Sequence, residues 1–170
     1  MGFLRVTQRL PPPTFYEATR FAAKPRALSS PIGTIAGWQD DRAFAALALS
    51  YRPWGGMARA DDVGRLLADH GPVTVISMAA LLEDEAIFGF DWNASLWIPM
   101  FQFDPGDLSL KAAPRRVRAE LGEGFDGWTL SAWFVEPNAW LAQRRPIDLL
   151  ESDTKAVLVA ARADRFVAAG

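Results

Sequence analysis

Hydrophobic positions recur every three or four residues along most of this chain, which is the period of amphipathic helices. In the first half, the pattern predicts helices over about 40–51, 58–69 and 75–87. Asp40 and Thr74 are the expected caps of the first and third helix. Two helices joined by a short turn, here around Gly71, outline a helix-turn-helix.

Between residues 88 and 103 the pattern changes to aromatic residues that alternate on either side of an Asn-containing loop. This arrangement predicts a β-hairpin, and Pro99 predicts that its second strand lies at the edge of a sheet. A helix-turn-helix followed by a hairpin is similar to a winged DNA-binding module. However, residues 57–93 carry two arginines against seven acidic residues, a net charge of −5, which disfavours contact with phosphates.

The turn Asp104-Pro-Gly106-Asp is the predicted boundary between two parts of the chain. Beyond it we expect a helix that begins near Pro114, a helix over 128–135, and short helical turns capped by Asn138 and opened by Pro146. A final helix is expected from about Asp153. Its predicted buried side is Ala156, Val159, Ala160, Ala163, Phe166 and Val167, and its predicted polar side is Lys155, Arg162 and Arg165.

The first residues differ from the rest in composition. Residues 1–36 contain Pro11-Pro-Pro13 and no sustained period, which predicts an extended or irregular arm. Residues 1–35 carry five basic side chains and one acidic, although the whole chain has a net charge of −2. We expect a solvated tail, with contact to nucleic acid or an acidic partner as the alternative.

Together these patterns predict a mainly α fold with three parts. Residues 1–36 form a basic, Pro-rich arm, residues 37–107 a helix-turn-helix-like module with a β-hairpin, and residues 108–170 a small all-helical domain. No apolar run reaches the length of a membrane span, and the N-terminus lacks the pattern of a secretion signal. We therefore expect a soluble, cytoplasmic protein that does not enter a membrane.

Candidate catalytic chemistry is sparse. The chain has no Cys, and its single histidine, His70, stands at a predicted helix end, where it is expected to be an ordinary terminal residue. The segment 122–127 matches the letters of the dinucleotide fingerprint G-x-G-x-x-G, but a helix is predicted before it where the fingerprint needs a strand. The acidic run 83–85 is expected to be a solvated face. We predict no catalytic, cofactor-binding or metal-binding residues, and we expect that the protein is not an enzyme.

One segment of the second half is specific enough to suggest a family. Trp133-Phe-x-x-Pro137-Asn138-x-x-Leu141-x-x-Arg144-Arg145-Pro146-Ile147-Asp148-Leu149-Leu150 resembles the toxin-binding domain of Xre/MbcA/ParS-type antitoxins. The upstream residues 98–104 are similar to a segment that often precedes it in relatives, so the resemblance covers about residues 96–168.

This resemblance implies an antitoxin-like protein without enzymatic activity of its own. Its partner would be a RES-type toxin, which degrades NAD, and the C-terminal region would plug the toxin's nucleotide pocket. It also implies a homo-oligomer, with autoregulation through the N-terminal module. A DNA-binding transcriptional regulator and a solitary protein-interaction module without a toxin are the alternatives.

The resemblance, together with the enrichment of Trp and Arg at interfaces, indicates the residues of the binding site. The predicted partner-binding residues are Trp133, Asn138, Trp140, Arg144, Arg145, Asp148, Arg162 and Arg165. The tail 162–170 would be the part that enters the toxin. The predicted scaffold of the motif is Pro137, Leu141, Pro146 and Leu149.

Overall fold

The computed structural model describes residues 35–70 and 77–169. In these residues the chain is mostly helical and carries a small three-stranded antiparallel sheet, which confirms the predicted mainly α class. The predicted arm, apart from its last two residues, and the predicted cap Thr74 lie outside the described ranges.

The helices follow the predicted order, with different bounds in the first half. No described helix is long and apolar enough to cross a membrane. The helices are α1 (Ile35–Tyr51), α2 (Ala60–His70), α3 (Met78–Glu83), α4 (Ala112–Leu121), α5 (Gly127–Val135), α6 (Pro146–Leu149) and α7 (Thr154–Ala169). Short 3-10 turns occupy Arg52–Trp54, Met100–Gln102 and Ala139–Leu141.

Two helix starts in the first half differ from the prediction. Helix α1 begins at Ile35, so Asp40 lies inside it and is not its N-cap. The segment predicted to open the second helix is instead a strand, β1 (Met57–Arg59), and α2 follows it directly. Helix α3 is short because Ser77 caps it, its side chain accepting a bond from the backbone N–H of Ala80 at 3.2 Å.

The predicted hairpin is formed by β2 (Phe90–Trp92) and β3 (Ser95–Pro99). Its two loop residues, Asn93 and Ala94, have φ of 48° and 54°, the left-handed conformation that matches the twist of a two-residue hairpin turn. The strand order is β1-β3-β2, so β3 is central and the prediction that Pro99 lies on an edge strand is wrong. Pro99 is tolerated because it is the last residue of β3, beyond the stretch that pairs with β2.

A large cluster of buried side chains joins the two halves of the chain. It contains Tyr51 and Phe101 from the first half and Val117, Phe134 and Val157 from the second, and so crosses the boundary predicted at residue 107. A smaller cluster fills the space between the sheet and helices α2 and α3. The two halves are therefore packed against a common core, and their division into 37–107 and 108–170 stays a prediction.

The start of α5 touches the sheet at a pair of glycines. A Cβ atom on Gly127 would lie 1.9 Å from the carbonyl oxygen of Gly89, well inside van der Waals contact. Only a residue without a side chain allows this approach. The pair positions α5, which carries Trp133, the first residue of the motif, against β2.

Candidate partner-binding site

The residues after α5 fold into a compact loop that the motif itself holds together. The backbone N–H of Asn138 donates to the carbonyl oxygen of Arg144 at 3.1 Å, and this bond joins the two ends of the loop. The side-chain oxygen of Asn138 accepts from the backbone N–H of Trp140 at 2.9 Å, which confirms the predicted cap. Ala142 and Gln143 turn the chain back with φ of 53° and 63°.

The carboxylate of Asp164 on α7 accepts hydrogen bonds from three side chains of the motif. Its Oδ2 accepts bonds from Trp133 Nε1 at 2.7 Å and from Asn138 Nδ2 at 2.6 Å. Its Oδ1 accepts a bond from Trp140 Nε1 at 2.9 Å. Three side chains of the motif are therefore tied to one residue of the last helix, and the loop and the helix form a single unit.

Two of the predicted partner-binding arginines are held by carboxylates of this chain. Arg145 donates two bonds of 2.7 Å to Asp148, and Arg162 donates two bonds, of 2.9 and 2.7 Å, to Glu120 of α4. The Asp148 carboxylate raises the pKa of the Arg145 guanidinium, and Arg162 lowers the pKa of Glu120. These bidentate pairs fix the loop to α6 and α7 to α4.

The remaining predicted residues separate into buried and exposed groups. Trp133 and Asn138 are buried, so they belong to the packing beneath the loop and not to its exposed surface. Trp140, by contrast, is 60% exposed. Arg144 and Arg165 are exposed, and Arg144 Nε donates to the carbonyl oxygen of Leu141 at 3.3 Å. Of the predicted scaffold residues, Leu141, Pro146 and Leu149 are buried and Pro137 is exposed.

Helix α7 buries a different side from the predicted one. Its buried residues are Val157, Leu158, Ala160 and Ala161, so only Ala160 of the predicted set is fully buried. Val159, Phe166 and Val167, all predicted to face inward, are 55%, 82% and 68% exposed. The helix is apolar on two sides, and α4 packs on one of them because Val117 and Leu121 meet it there.

These exposed residues share one surface of α7 with the partly buried Ala163. Val159, Ala163, Phe166 and Val167 are spaced by four, three and one residues, which places them along one face of a helix. We call this surface the α7 stripe. Isolated exposed apolar residues are ordinary, but a run of them on one helix face is typical of a binding surface.

A second apolar surface lies elsewhere on the molecule. It is a groove of about 760 Å³, which none of the residues of the α7 stripe lines. The indole N–H groups of Trp54 and Trp97 in its walls are buried and have no hydrogen-bond partner among the described residues. Besides these two tryptophans its lining includes Phe44, Leu49, Phe101 and Ile147, with Lys111 and Glu151 as an ion pair of 2.7 Å.

The segment that matches the dinucleotide fingerprint has a structural role. Asp126 is its last residue but one, and the Asp126 carboxylate accepts a bond of 2.7 Å from the backbone N–H of Thr129. It therefore caps α5 at the position where a phosphate would have to lie. Within residues 35–70 and 77–169, no three His, Cys, Asp or Glu side chains come together in a group that could hold a metal ion.

Sequence reasoning missed Asp164 and Glu120. Asp164 carries a signal only in retrospect, because the indole N–H groups of Trp133 and Trp140 and the amide of Asn138 are donors that one carboxylate can satisfy. It also lies beside Ala160 on α7, at the margin of the buried side. Glu120 carries no comparable signal, since its pairing with Arg162 joins residues of two different helices.

Scans against protein-family models, curated proteins and solved structures found no match to this chain.

Proposed function

We propose that this protein is an antitoxin-like inhibitor that binds and occludes a RES-type, NAD-degrading toxin through its C-terminal region. The observation that carries the proposal is the α7 stripe beside the exposed ring of Trp140. This surface lies in the part of the chain that resembles the toxin-binding domain. It offers large apolar side chains on a helix whose opposite side is already packed.

The spacing of the α7 stripe suits insertion into a groove of another protein. Anchors at i, i+4, i+7 and i+8, here from Val159 to Val167, are typical of a helix that lies in an apolar groove. Aromatic residues such as Phe166 and Trp140 supply most of the binding energy in such complexes. The affinity should therefore depend on a few exposed side chains.

Inhibition by occlusion requires a helix that does not move away when it meets the toxin. Helix α7 is fixed to α4 through Arg162 and Glu120, and to the loop through Asp164. Such preorganisation lowers the entropy cost of binding. A pocket that accommodates a dinucleotide is a concave site that a rigid helix end can fill.

The proposal is tested by co-expressing the protein with a RES-type toxin encoded next to its gene. We expect co-purification of the two chains and suppression of NAD loss in the cells. The variant Val159→Asp with Phe166→Asp should lose both effects, because charged groups would be buried in the interface. Leu49→Asp is the matched control, since Leu49 is 64% exposed but lies in the groove.

The outcomes separate clearly. Absence of co-purification and of NAD protection with the unaltered chain would overturn the proposed function. Protection that persists in the double variant would instead move the toxin-binding surface away from the α7 stripe. Arg145→Glu is less informative, because it also breaks the bonds between Arg145 and Asp148.

The competing proposal, a DNA-binding regulator with a helix-turn-helix-like module, has less support. Helices α2 and α3 carry exposed carboxylates at Asp61 and Glu83, and Arg65 of α2 is paired with Asp62 at 3.1 Å. Phosphate neutralisation supplies much of the affinity of DNA-binding proteins, and this surface offers few free cations for it. Binding to promoter DNA at low salt would revive this alternative.

A further inference from the structure

Asp164 is a carboxylate that has no cationic partner among the described residues. The neighbouring carboxylates of Asp148 and Glu120 are each paired with an arginine, whereas the three groups that bond to Asp164 are neutral. No Lys or Arg of residues 35–70 and 77–169 forms an ion pair with it. Asp164 is also only half-buried, so part of its negative charge faces outward.

Two exposed arginines of the site, Arg165 and Arg144, are directed elsewhere. Arg165 lies over the end of α4, where its Cδ would be 3.4 Å from a Cβ atom on Gly122. Arg144 bonds to the carbonyl oxygen of Leu141. Within residues 35–70 and 77–169, the Asp164 carboxylate is thus left without a cation to pair with.

The exposed aromatic ring of Trp140 lies next to the Asp164 carboxylate. Its indole N–H donates to Asp164 Oδ1 and its backbone N–H donates to Asn138, so both ends of the residue are fixed. The face of an indole ring attracts cations, and a ring that is already held in place loses little entropy when a partner covers it.

We propose that Trp140 and Asp164 form a receptor for one guanidinium group, the side chain of an arginine in the bound protein. Its planar cation lies against the indole ring and donates to Asp164 Oδ1. That oxygen accepts one bond, from Trp140, while Oδ2 accepts two, so Oδ1 has an acceptor site to spare. Arginine fits better than lysine because it is planar, weakly hydrated and stacks on aromatic faces.

This inference rests on the proposed function only for the identity of the bound protein. A pocket that binds a dinucleotide diphosphate needs positive groups, so a toxin of that class has arginines to offer. The receptor itself depends on residues of this chain and can be tested without the toxin.

The test follows the indole N–H resonance of Trp140 by NMR while N-acetyl-arginine amide is added to the full chain. Trp140→Phe assigns the resonance. N-acetyl-citrulline amide is the matched control ligand, since it keeps the shape of arginine but lacks its charge. We expect a saturable shift with the arginine ligand and an affinity for the citrulline ligand at least about tenfold weaker.

Asp164→Asn should weaken arginine binding to the level of citrulline, and Glu123→Gln, which removes an exposed carboxylate just beyond the end of α4, should leave it unchanged. Equal shifts with the two ligands, or none with either, would overturn the receptor. If Asp164→Asn lowers the melting temperature strongly, the comparison of the two ligands on the unaltered chain still decides.

Repeating the measurement with the toxin separates the two proposals. Arginine selectivity in a chain that binds no toxin would leave the receptor standing and the proposed function wrong. If the toxin binds and Asp164→Asn does not weaken that binding, the proposed function stands and the arginine receptor is wrong.

Discussion

The groove and the α7 stripe are both apolar surfaces, but one is concave and the other convex. The groove is built from side chains such as Phe101 and Ile147, which also belong to the central core. The α7 stripe consists of side chains that point away from the core. Changes in buried groove residues such as Phe101 should therefore affect folding, whereas changes in the α7 stripe should affect only what the protein can bind.

The largest expected difference between the two surfaces is in stability. Phe101→Ala should lower the free energy of unfolding by about 3 to 5 kcal/mol, because the Phe101 ring is buried against Tyr51 and Phe134. Phe166→Ala should change the free energy of unfolding by less than about 0.5 kcal/mol, since Phe166 is exposed. Urea unfolding of both variants measures the difference, and equal losses would contradict the comparison.

The next effect concerns the scaffold that carries the α7 stripe. Gly127→Ala should destabilise the fold by about 2 to 3 kcal/mol, because its Cβ would meet the carbonyl oxygen of Gly89 and force α5 away from β2. Gly124→Ala is the control, since a Cβ there has no atom within 4 Å. Thermal unfolding should separate the two variants, and similar melting temperatures would mean that α5 can shift without cost.

A smaller effect is expected at Tyr51, which links α1 to α5 by donating its phenol O–H to the carbonyl oxygen of Ser131 at 2.7 Å. Tyr51→Phe should cost about 1 kcal/mol at neutral pH. Burial raises the pKa of Tyr51, so the folded state holds the proton more tightly than the unfolded chain. The stability that Tyr51 contributes is therefore complete below about pH 10 and falls as the pH rises further.

Urea unfolding at about pH 8 and about pH 10.5 tests this linkage. The original chain should lose more stability between these two conditions than Tyr51→Phe does. Equal losses would show that the phenol does not carry the alkaline sensitivity.

The smallest effect is expected at the ion pair of Arg162 and Glu120, because Arg162 is largely exposed. Arg162→Met should cost less than about 0.5 kcal/mol at neutral pH. Arg162 lowers the pKa of Glu120, so the contribution of the pair is present above the ordinary pKa of Glu and is lost as the pH falls through the lowered value. Arg115→Met, an exposed change on α4, is the control for the loss of one positive charge.

The difference between Arg162→Met and the original chain should therefore vanish in acid. A difference that remains there, or one that Arg115→Met reproduces, would mean that the ion pair is not its source.

The elements that the sequence predicts correctly depend on local signals. The hairpin turn needs two residues that accept a positive φ, and Asn93 is a good candidate for one of them. The start of α5 has Asp126 as a cap, and α6 has Pro146 in its first turn. By contrast, β1 exists only because β3 lies beside it, and a three-residue strand is too short to show its own period.

The orientation of α7 shows the same limit at the site. Its sequence has apolar residues on two sides, and periodicity does not determine which side the core takes. The side of α7 that is buried is set by packing against α4, whose inward residues are distant from α7 in sequence. For the same reason the motif predicts Trp133, Asn138 and Trp140 but not Asp164, the acceptor that joins them, because that contact crosses from the loop to the last helix.

The order of the strands also determines the order in which the sheet can assemble. Strands β2 and β3 are joined by a two-residue turn, so their ladder can close within microseconds. Strand β1 reaches β3 only after the chain has passed through α2 and α3, and closing that longer loop costs more entropy. We expect the hairpin to form first and β1 to be the last strand to join it. The same strand should be the first to leave, so its amide hydrogens should exchange with solvent faster than those between β2 and β3.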